Sequence, residues 1–293
     1  MTPRDLLAAF ETLADAPAGV DRLRQLITDM AVLGQLLPER SEGKSAVELL
    51  KEIAAFRDEL VRRKEVRKPR KLPALGHDGP DLPADWVWCR LGDLALSFQN
   101  GTSKRRGNGP PVVVLRLADI TRQRIDDSNP RKIGLSADDA SKYAVHAGDL
   151  LVIRVNGSTD LVGRFIPVLD SRGYTYCDHL IRLQLPSDHI SSRYVALYAD
   201  SGVARRHLSS VTVTTAGQNT INQTGLGTLP VPLPPLSEQH RIVARVDELM
   251  GLLDRLEAAR TQREELRQKT RDAALAALRE AEDAEEVEAA WGR

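Results

Sequence analysis

Hydroxyls, cations and glycines are concentrated at residues 101–109, near the middle of this 293-residue chain. The hydroxyl and cationic side chains there belong to Thr102, Ser103, Lys104, Arg105 and Arg106. Three adjacent cations suit phosphate oxygens, and glycine lets the backbone approach a ligand closely. A predicted strand at 111–117 follows and carries Arg116. The same composition also describes an ordinary solvated loop, so the residues alone leave both interpretations open.

A second polar group follows an apolar run at residues 149–155. The run carries Arg154 and ends in the turn sequence Asn156-Gly157-Ser158. Arginine can bind guanine through two hydrogen bonds, and asparagine can bind adenine in the same way. Asn-Gly is equally a common hairpin turn, so a purely structural role has similar weight.

A third polar group lies at residues 212–222, where hydroxyls and amides occupy alternate positions. Its candidate binding residues are Thr214, Gln218 and Asn219. Half-buried strands often show this pattern, so the simpler interpretation is structural.

The distribution of glutamate predicts the elements around these groups. Every Glu lies at or before Glu65, or at or after Glu238. Because Glu favours helices, the middle is expected to form strands and turns between helical flanks, an α+β fold. The predicted strands are 111–117, 149–155, 162–169, 180–185 and 211–215, and a helix is predicted at 193–208.

The N-terminal region, residues 1–72, is predicted to be helical throughout residues 1–70. A short amphipathic turn carries Leu6 to Leu13, a second helix follows from Val20, and a capping box of Ser45 and Glu48 starts a third. A linker is expected at 73–85, a β-rich domain at 86–231 and a C-terminal helix at 232–293.

Prolines 232, 234 and 235 prevent a helix from running through the start of that last segment. Ser237 is predicted to cap a helix that continues to about residue 290. Apolar side chains then recur at spacings of four and three, as in a coiled coil, and are Ile242, Val246, Leu249, Leu253 and Leu256. Such a seam is expected to bury itself against another helix.

Composition bounds the function. Residues 86–230 hold 17 Lys and Arg against 12 Asp, a surplus of five positive charges that permits nucleic-acid binding without requiring it. Two cysteines and the lack of a signal sequence or long apolar span predict a cytoplasmic protein without disulfides. Cys177-Asp178-His179 has no second ligand pair at zinc spacing, and no catalytic motif is found, so no metal, cofactor or enzymatic activity is expected.

Several motifs together resemble the specificity subunits of type I restriction–modification enzymes. The Pro-Leu-Pro-Pro-Leu sequence at 232–236 is followed by Glu238-Gln239, Arg241-Ile242-Val243 and Val246-Asp247, as in that family. Gly-Thr-Ser-Lys at 101–104 and Asn-Gly-Ser-x-x-Leu-Val-Gly at 156–163 resemble parts of its target-recognition domains. Leu82–Trp86 resembles the entry to such a domain.

The resemblance implies a non-catalytic subunit that recognises double-stranded DNA with a single target-recognition domain, half the usual number. It would direct methyltransferase and restriction subunits, and S-adenosylmethionine, Mg²⁺ and ATP would belong to those partners. A homodimer through antiparallel C-terminal helices would supply two recognition domains for a bipartite site. Helices within 20–66 could instead cover the seam. A stand-alone nucleic-acid-binding protein and a coiled-coil scaffold are the alternatives.

Overall fold

The structure is a computed structural model that describes residues 18–37, 44–76, 79–121 and 124–280. The predicted turn at Leu6 to Leu13 and the continuation of the last helix to about residue 290 lie outside these ranges. Among the residues described, no helix is both long enough and apolar enough to cross a membrane.

Within the described residues, the second and third predicted helices are both present before the β-rich region. Helix α1 is Gly19–Val32 and helix α2 is Ala46–Arg62. The capping box at the start of α2 is present, because the Ser45 hydroxyl accepts from the Glu48 amide at 3.3 Å and the Glu48 carboxylate accepts from the Ser45 amide at 3.0 Å. The two caps satisfy backbone donors that the first turn leaves free.

The middle of the chain contains short strands that form five small sheets. The strands are β1 Val87–Arg90, β2 Ser97–Asn100, β3 Pro111–Leu115, β4 Ile120–Thr121, β5 Arg124–Ile125, β6 Lys132–Gly134, β7 Leu150–Ile153, β8 Val155–Asn156, β9 Phe165–Pro167, β10 Thr175–Tyr176, β11 Leu180–Gln184, β12 Val213–Thr215, β13 Gln218–Thr220 and β14 Pro230–Leu233. The largest sheet has the order β2-β11-β7-β9 and is antiparallel throughout. Two three-stranded sheets, β10-β3-β6 and β12-β13-β8, lie beside two pairs, β1-β14 and β4-β5.

Short helices connect these strands. They are α3 Leu91–Leu94, α4 Ala137–Lys142, α5 Ser192–Ala199, α6 Gly202–Ser210 and α7 Gln223–Gly227, with a 3₁₀ turn at Leu117–Asp119. The predicted helix at 193–208 is therefore two helices, because the chain turns at Asp200 and Ser201. The Ser201 hydroxyl caps α6 by accepting from the Ala204 amide at 3.2 Å. The prediction of an α+β fold is confirmed.

The largest hydrophobic core joins the helical flanks to the β-rich region. It contains Leu23 of α1, Ile53 of α2, Val152 of β7, Tyr194 of α5 and Ile242 of the last helix, all at most 3% exposed. A second core lies under Leu115 and Tyr176, between β3, β7, β9 and β10. Since the flanks share the first core, the domain boundaries at 72, 85 and 231 stay predictions.

The last helix, α8, is Leu236–Glu280 and begins one residue before the predicted Ser237 cap. The Pro235 carbonyl accepts from the amides of both Glu238 and Gln239 at 3.0 Å. The Glu238 carboxylate is 3% exposed and accepts from the Trp86 indole at 3.0 Å. The Gln239 amide group accepts from the Ser191 amide at 2.9 Å and donates to the Pro234 carbonyl at 3.0 Å. The Glu-Gln pair therefore fixes α8 to the rest of the chain.

The apolar seam of α8 is buried within the chain. Ile242, Val246 and Leu253 are at most 4% exposed, and Leu249 and Leu256 pack half-buried against the same core. Helix α1 packs along this face, and Arg24 binds Asp254 at 2.6 Å and Glu257 at 3.0 Å. Of the two partners that the sequence left open for the seam, the helices within 20–66 are the one in the structure, because α1 packs along it. Pairing of the seam with a second copy is not shown.

We expect Gln239→Ala to lower the free energy of unfolding by about 2–4 kcal/mol, because it leaves a buried amide and a buried carbonyl without partners. Urea unfolding followed by circular dichroism would measure the loss. The control is His240→Ala, an exposed neighbour on the same helix, for which a change within about 0.5 kcal/mol is expected. Equal effects of the two variants would contradict the proposed role of Gln239.

Candidate nucleic-acid interface

Asp178 joins the first two polar groups found in the sequence, and strand pairing joins the third group to the second. Its amide donates to the Thr102 carbonyl at 3.0 Å, which joins it to the first group. Its carbonyl accepts from Nη1 of Arg154 at 2.9 Å, which joins it to the second. Strand β8 of the second group pairs with β13 of the third, with Asn156 opposite Asn219. We call residues 102–106, 154–158, 177–179 and 213–219 the polar face.

The first loop is held by Thr102, whose side chain is 1% exposed. The Thr102 hydroxyl accepts from the Lys104 amide at 3.2 Å, and its backbone bridges to Cys177. Thr102 therefore shapes the loop from beneath. Ser103 is exposed on the same loop.

Most cations of this loop have a carboxylate partner. Lys104 forms an ion pair with Asp139, which raises the pKa of the lysine and lowers the pKa of the aspartate. Both terminal nitrogens of Arg105 lie 3.1 Å from Oδ1 of Asp178. Arg106 is exposed and has no ion pair or hydrogen bond with another described residue.

Arg116 lies at the end of β3, beside the loop. It binds the buried carboxylate of Asp119 through Nε at 3.0 Å and Nη2 at 2.8 Å. The hydrogen bond to Asp119 raises the pKa of the guanidinium. Its charge is therefore held in place and partly neutralised.

The second group forms the predicted turn after β8. Oδ1 of Asn156 accepts from the Ser158 amide at 2.9 Å, which is an Asx turn that stabilises the loop through Gly157. Arg154 is half-buried and directs Nη1 at the Asp178 carbonyl. Ser158 and Gly157 are exposed at the tip of the turn.

The third group is the hairpin of β12 and β13, closed by Ala216 and Gly217 at positive φ. Asn219 is 5% exposed; its amide accepts from the Thr214 hydroxyl at 2.6 Å and donates to the Gly157 carbonyl at 2.9 Å. Asn219 thus connects the hairpin to the second group. Gln218, its neighbour, is exposed.

One group of ligand atoms in the described ranges could hold a metal ion. The ligand atoms of Cys177, Asp178 and His179 all lie within 4.8 Å of one another. Burial raises the pKa of the Cys177 thiol, which favours its protonated form, and Arg105 already occupies the Asp178 carboxylate. The adjoining cavity is lined by Lys104, Arg105, Arg116 and Arg131. This surplus of cations favours an anion over a metal ion.

Two residues of this site were missed by the sequence prediction. The sequence marks Asp178 only as one of three adjacent metal-ligand types. The polar residues between β10 and β11 could have indicated a turn at the site. Arg131 comes to the cavity through its position next to β6, and Nη2 donates to the Arg105 carbonyl at 2.9 Å. Nothing in the local sequence signals that approach.

The polar face combines glycine-rich turns, exposed amides and cations on a β-rich scaffold, which are features of proteins that bind nucleic acids. The family model described as "Type I restriction modification DNA specificity domain" matches residues 83–266. The chain belongs to this family. The match confirms the resemblance stated from the sequence.

Individual relatives carry the same description. The specificity subunit of the type I restriction enzyme StySPI of Salmonella potsdam is 44% identical over 174 residues, which are 59% of this chain and 38% of that protein. The specificity subunit of EcoEI of Escherichia coli is 29% identical over 258 residues, 85% of this chain and 43% of that protein. The chain thus spans less than half the length of these relatives.

A solved structure is also similar. The crystal structure of the HsdS subunit from Thermoanaerobacter tengcongensis is 22% identical, with a TM-score of 0.44, over 83% of this chain and 51% of that one.

Adjacent positions on β13 allow a matched test of the site's construction. Asn219→Ala should lower the free energy of unfolding by about 1–3 kcal/mol, because it removes a buried amide that satisfies two other groups. Gln218→Ala, one residue away but exposed, should change it by no more than about 0.5 kcal/mol. Thermal or urea unfolding of both variants would decide, and a larger loss for Gln218 would refute this description of the hairpin.

Proposed function

We propose that this chain recognises a specific sequence in double-stranded DNA and directs the methyltransferase and restriction subunits of a type I restriction–modification complex to it. The observation that supports the proposal most strongly is the polar face, where three segments far apart in sequence are linked, the first two through Asp178 and the third through the pairing of β13 with β8. Family membership supplies the class of ligand. S-adenosylmethionine, Mg²⁺ and ATP would be used by the partner subunits and not by this chain.

The exposed residues of the polar face divide into two roles. Arg106 and Ser103 can contact backbone phosphates, since both are exposed on the glycine-rich loop. Ser158 and Gln218, which are exposed, and Asn156, which is half-buried, can reach base edges, because they lie on the turn and the adjoining hairpin.

The remaining candidates act closer to the scaffold. Arg154 uses Nη1 on the Asp178 carbonyl and keeps other donors for a base or a phosphate. Gly157 lets the backbone of the turn approach DNA closely. Thr214 donates its hydroxyl to Asn219 and is exposed on the hairpin.

The long helix α8 would serve as the platform for the other subunits. Its first half packs on the core, whereas Glu257 to Leu275 is almost entirely exposed. This exposed part rises about 1.5 Å per residue away from the seam. Such a charged, projecting helix offers a surface for docking to methyltransferase subunits.

A homodimer would form on the exposed half of α8 and not on the seam. Leu252 and Leu266 are 44% and 57% exposed and lie two heptads apart, with Ala259 and Ala273 at the intervening and following heptad positions. This stripe of leucine and alanine permits two antiparallel helices to approach closely. The pair would present two polar faces to the two halves of a bipartite site.

Duplex binding tests the function directly. A bound sequence is first enriched from a random duplex library, and affinities for it and for a random duplex are then measured by fluorescence anisotropy at several salt concentrations. Asn156→Ala should reduce the discrimination between the two duplexes by about 1–3 kcal/mol. Arg106→Ala should weaken binding to both duplexes equally. It should also make the negative slope of log affinity against log salt shallower by about 0.9.

The control for these variants is Arg255→Ala on α8, an exposed cation outside the polar face, which should change neither quantity. No enriched sequence and no duplex binding at low salt would reject DNA recognition. Enrichment of a single-stranded or RNA species, without co-purification of a methyltransferase from the host, would favour a stand-alone nucleic-acid-binding protein.

Sedimentation analysis tests the homodimer. The wild-type chain should sediment as a dimer at micromolar concentration, and Leu266→Glu should shift it to a monomer, because it places a charge in the proposed helix contact. Leu169→Glu, at a 72% exposed position of the β-rich region, is the matched control and should leave the dimer intact. A monomeric wild-type chain would contradict the proposed contact.

A further inference from the structure

A cavity of about 260 Å³ opens beside the glycine-rich loop of the polar face. Its charged lining consists of Lys104, Arg105, Arg116 and Arg131, and its apolar lining includes Val114, Leu117 and Ile133. Four cations from three separate segments therefore surround one small space, which is costly unless anions compensate them.

Carboxylates compensate three of the four. Lys104 has Asp139, Arg105 has Asp178, and Arg116 has Asp119. Arg131 forms no ion pair with any residue in the described part of the chain; it is exposed, and its side chain makes a single hydrogen bond there, to the Arg105 carbonyl. The four cationic side chains and the three aspartates that pair with them therefore leave one positive charge without a carboxylate.

Unused hydrogen-bond donors in the cavity also indicate an anionic ligand. Nη2 of Arg131 is engaged, which leaves its Nη1 and Nε without a described acceptor. Arg116 uses Nε and Nη2 on Asp119 and leaves Nη1. Arg105 uses both terminal nitrogens on Asp178 and leaves Nε. Guanidinium donors that are fixed by their own carboxylates are well suited to oxygens of a phosphate.

From these observations we infer that the cavity holds one phosphodiester group of the DNA backbone, with Arg131 as its principal ligand. This inference rests on the proposed function and adds a positioning contact to it. A phosphodiester carries the single negative charge that the cavity lacks, and the apolar side chains beside the cations suit the attached deoxyribose. The contact would set the register of the duplex and leave the choice of bases to the turn at Asn156.

Salt dependence of duplex binding is the first test. Arg131→Gln should make the negative slope of log affinity against log salt shallower by about 0.9, the value for one phosphate contact. It should leave discrimination between specific and random duplexes unchanged. Arg255→Gln on α8 is a control with the same charge change and should keep the wild-type slope. Circular dichroism melting of each variant verifies that it is folded.

Replacing single phosphates in the duplex with neutral methylphosphonates gives a second test that does not depend on a protein variant. The wild-type chain should lose affinity at one position in each recognition site, and Arg131→Gln should be insensitive to the same replacement. An unchanged slope for Arg131→Gln, or additive losses from the two changes, would overturn the phosphate contact while DNA recognition stands. Failure of the wild-type chain to bind any duplex would overturn both.

Discussion

The hydrogen bonds of Asp178 hold together segments that lie far apart in the sequence. Its amide binds Thr102, its carbonyl binds Arg154, and its carboxylate binds Arg105. One residue in a turn thus sets the distance between a cationic loop and an amide-bearing turn. The backbone contacts do not depend on charge, whereas the pair with Arg105 is half exposed and contributes about 0–1 kcal/mol to stability. The geometry of the polar face therefore depends more on the main chain than on ion pairs.

The base of the long helix has a similar construction. Glu238 and Gln239 bind Trp86 and Ser191, so the start of α8 is fixed to the first residue of the β-rich region and to the residue that caps α5. Helix α1 then covers the seam. Because the first half of α8 is rigidly attached and its second half is exposed, any partner bound to the projecting part would be positioned relative to the polar face.

Local patterns in the sequence predicted the elements more reliably than their partners. The capping box at Ser45, the Asn156 turn and the apolar seam of α8 each follow from local backbone chemistry or periodicity, and all three were found. The sequence left the seam's partner open between a second copy and the helices within 20–66, because periodicity does not reveal which helix covers a seam. Asn219 and Thr102 are buried and hold the scaffold together. Their burial arises from tertiary packing, which the local sequence around a polar side chain does not show.

The central claim is that residues 102–106, 154–158, 177–179 and 213–219 act as one surface that binds duplex DNA. Hydrogen exchange of the whole chain, measured by mass spectrometry with and without its enriched duplex, tests this most directly. The account predicts that all four segments gain protection together, while the protection of the first half of α8, which α1 covers, is unchanged. Protection confined to α8, or to one of the four segments alone, would contradict it.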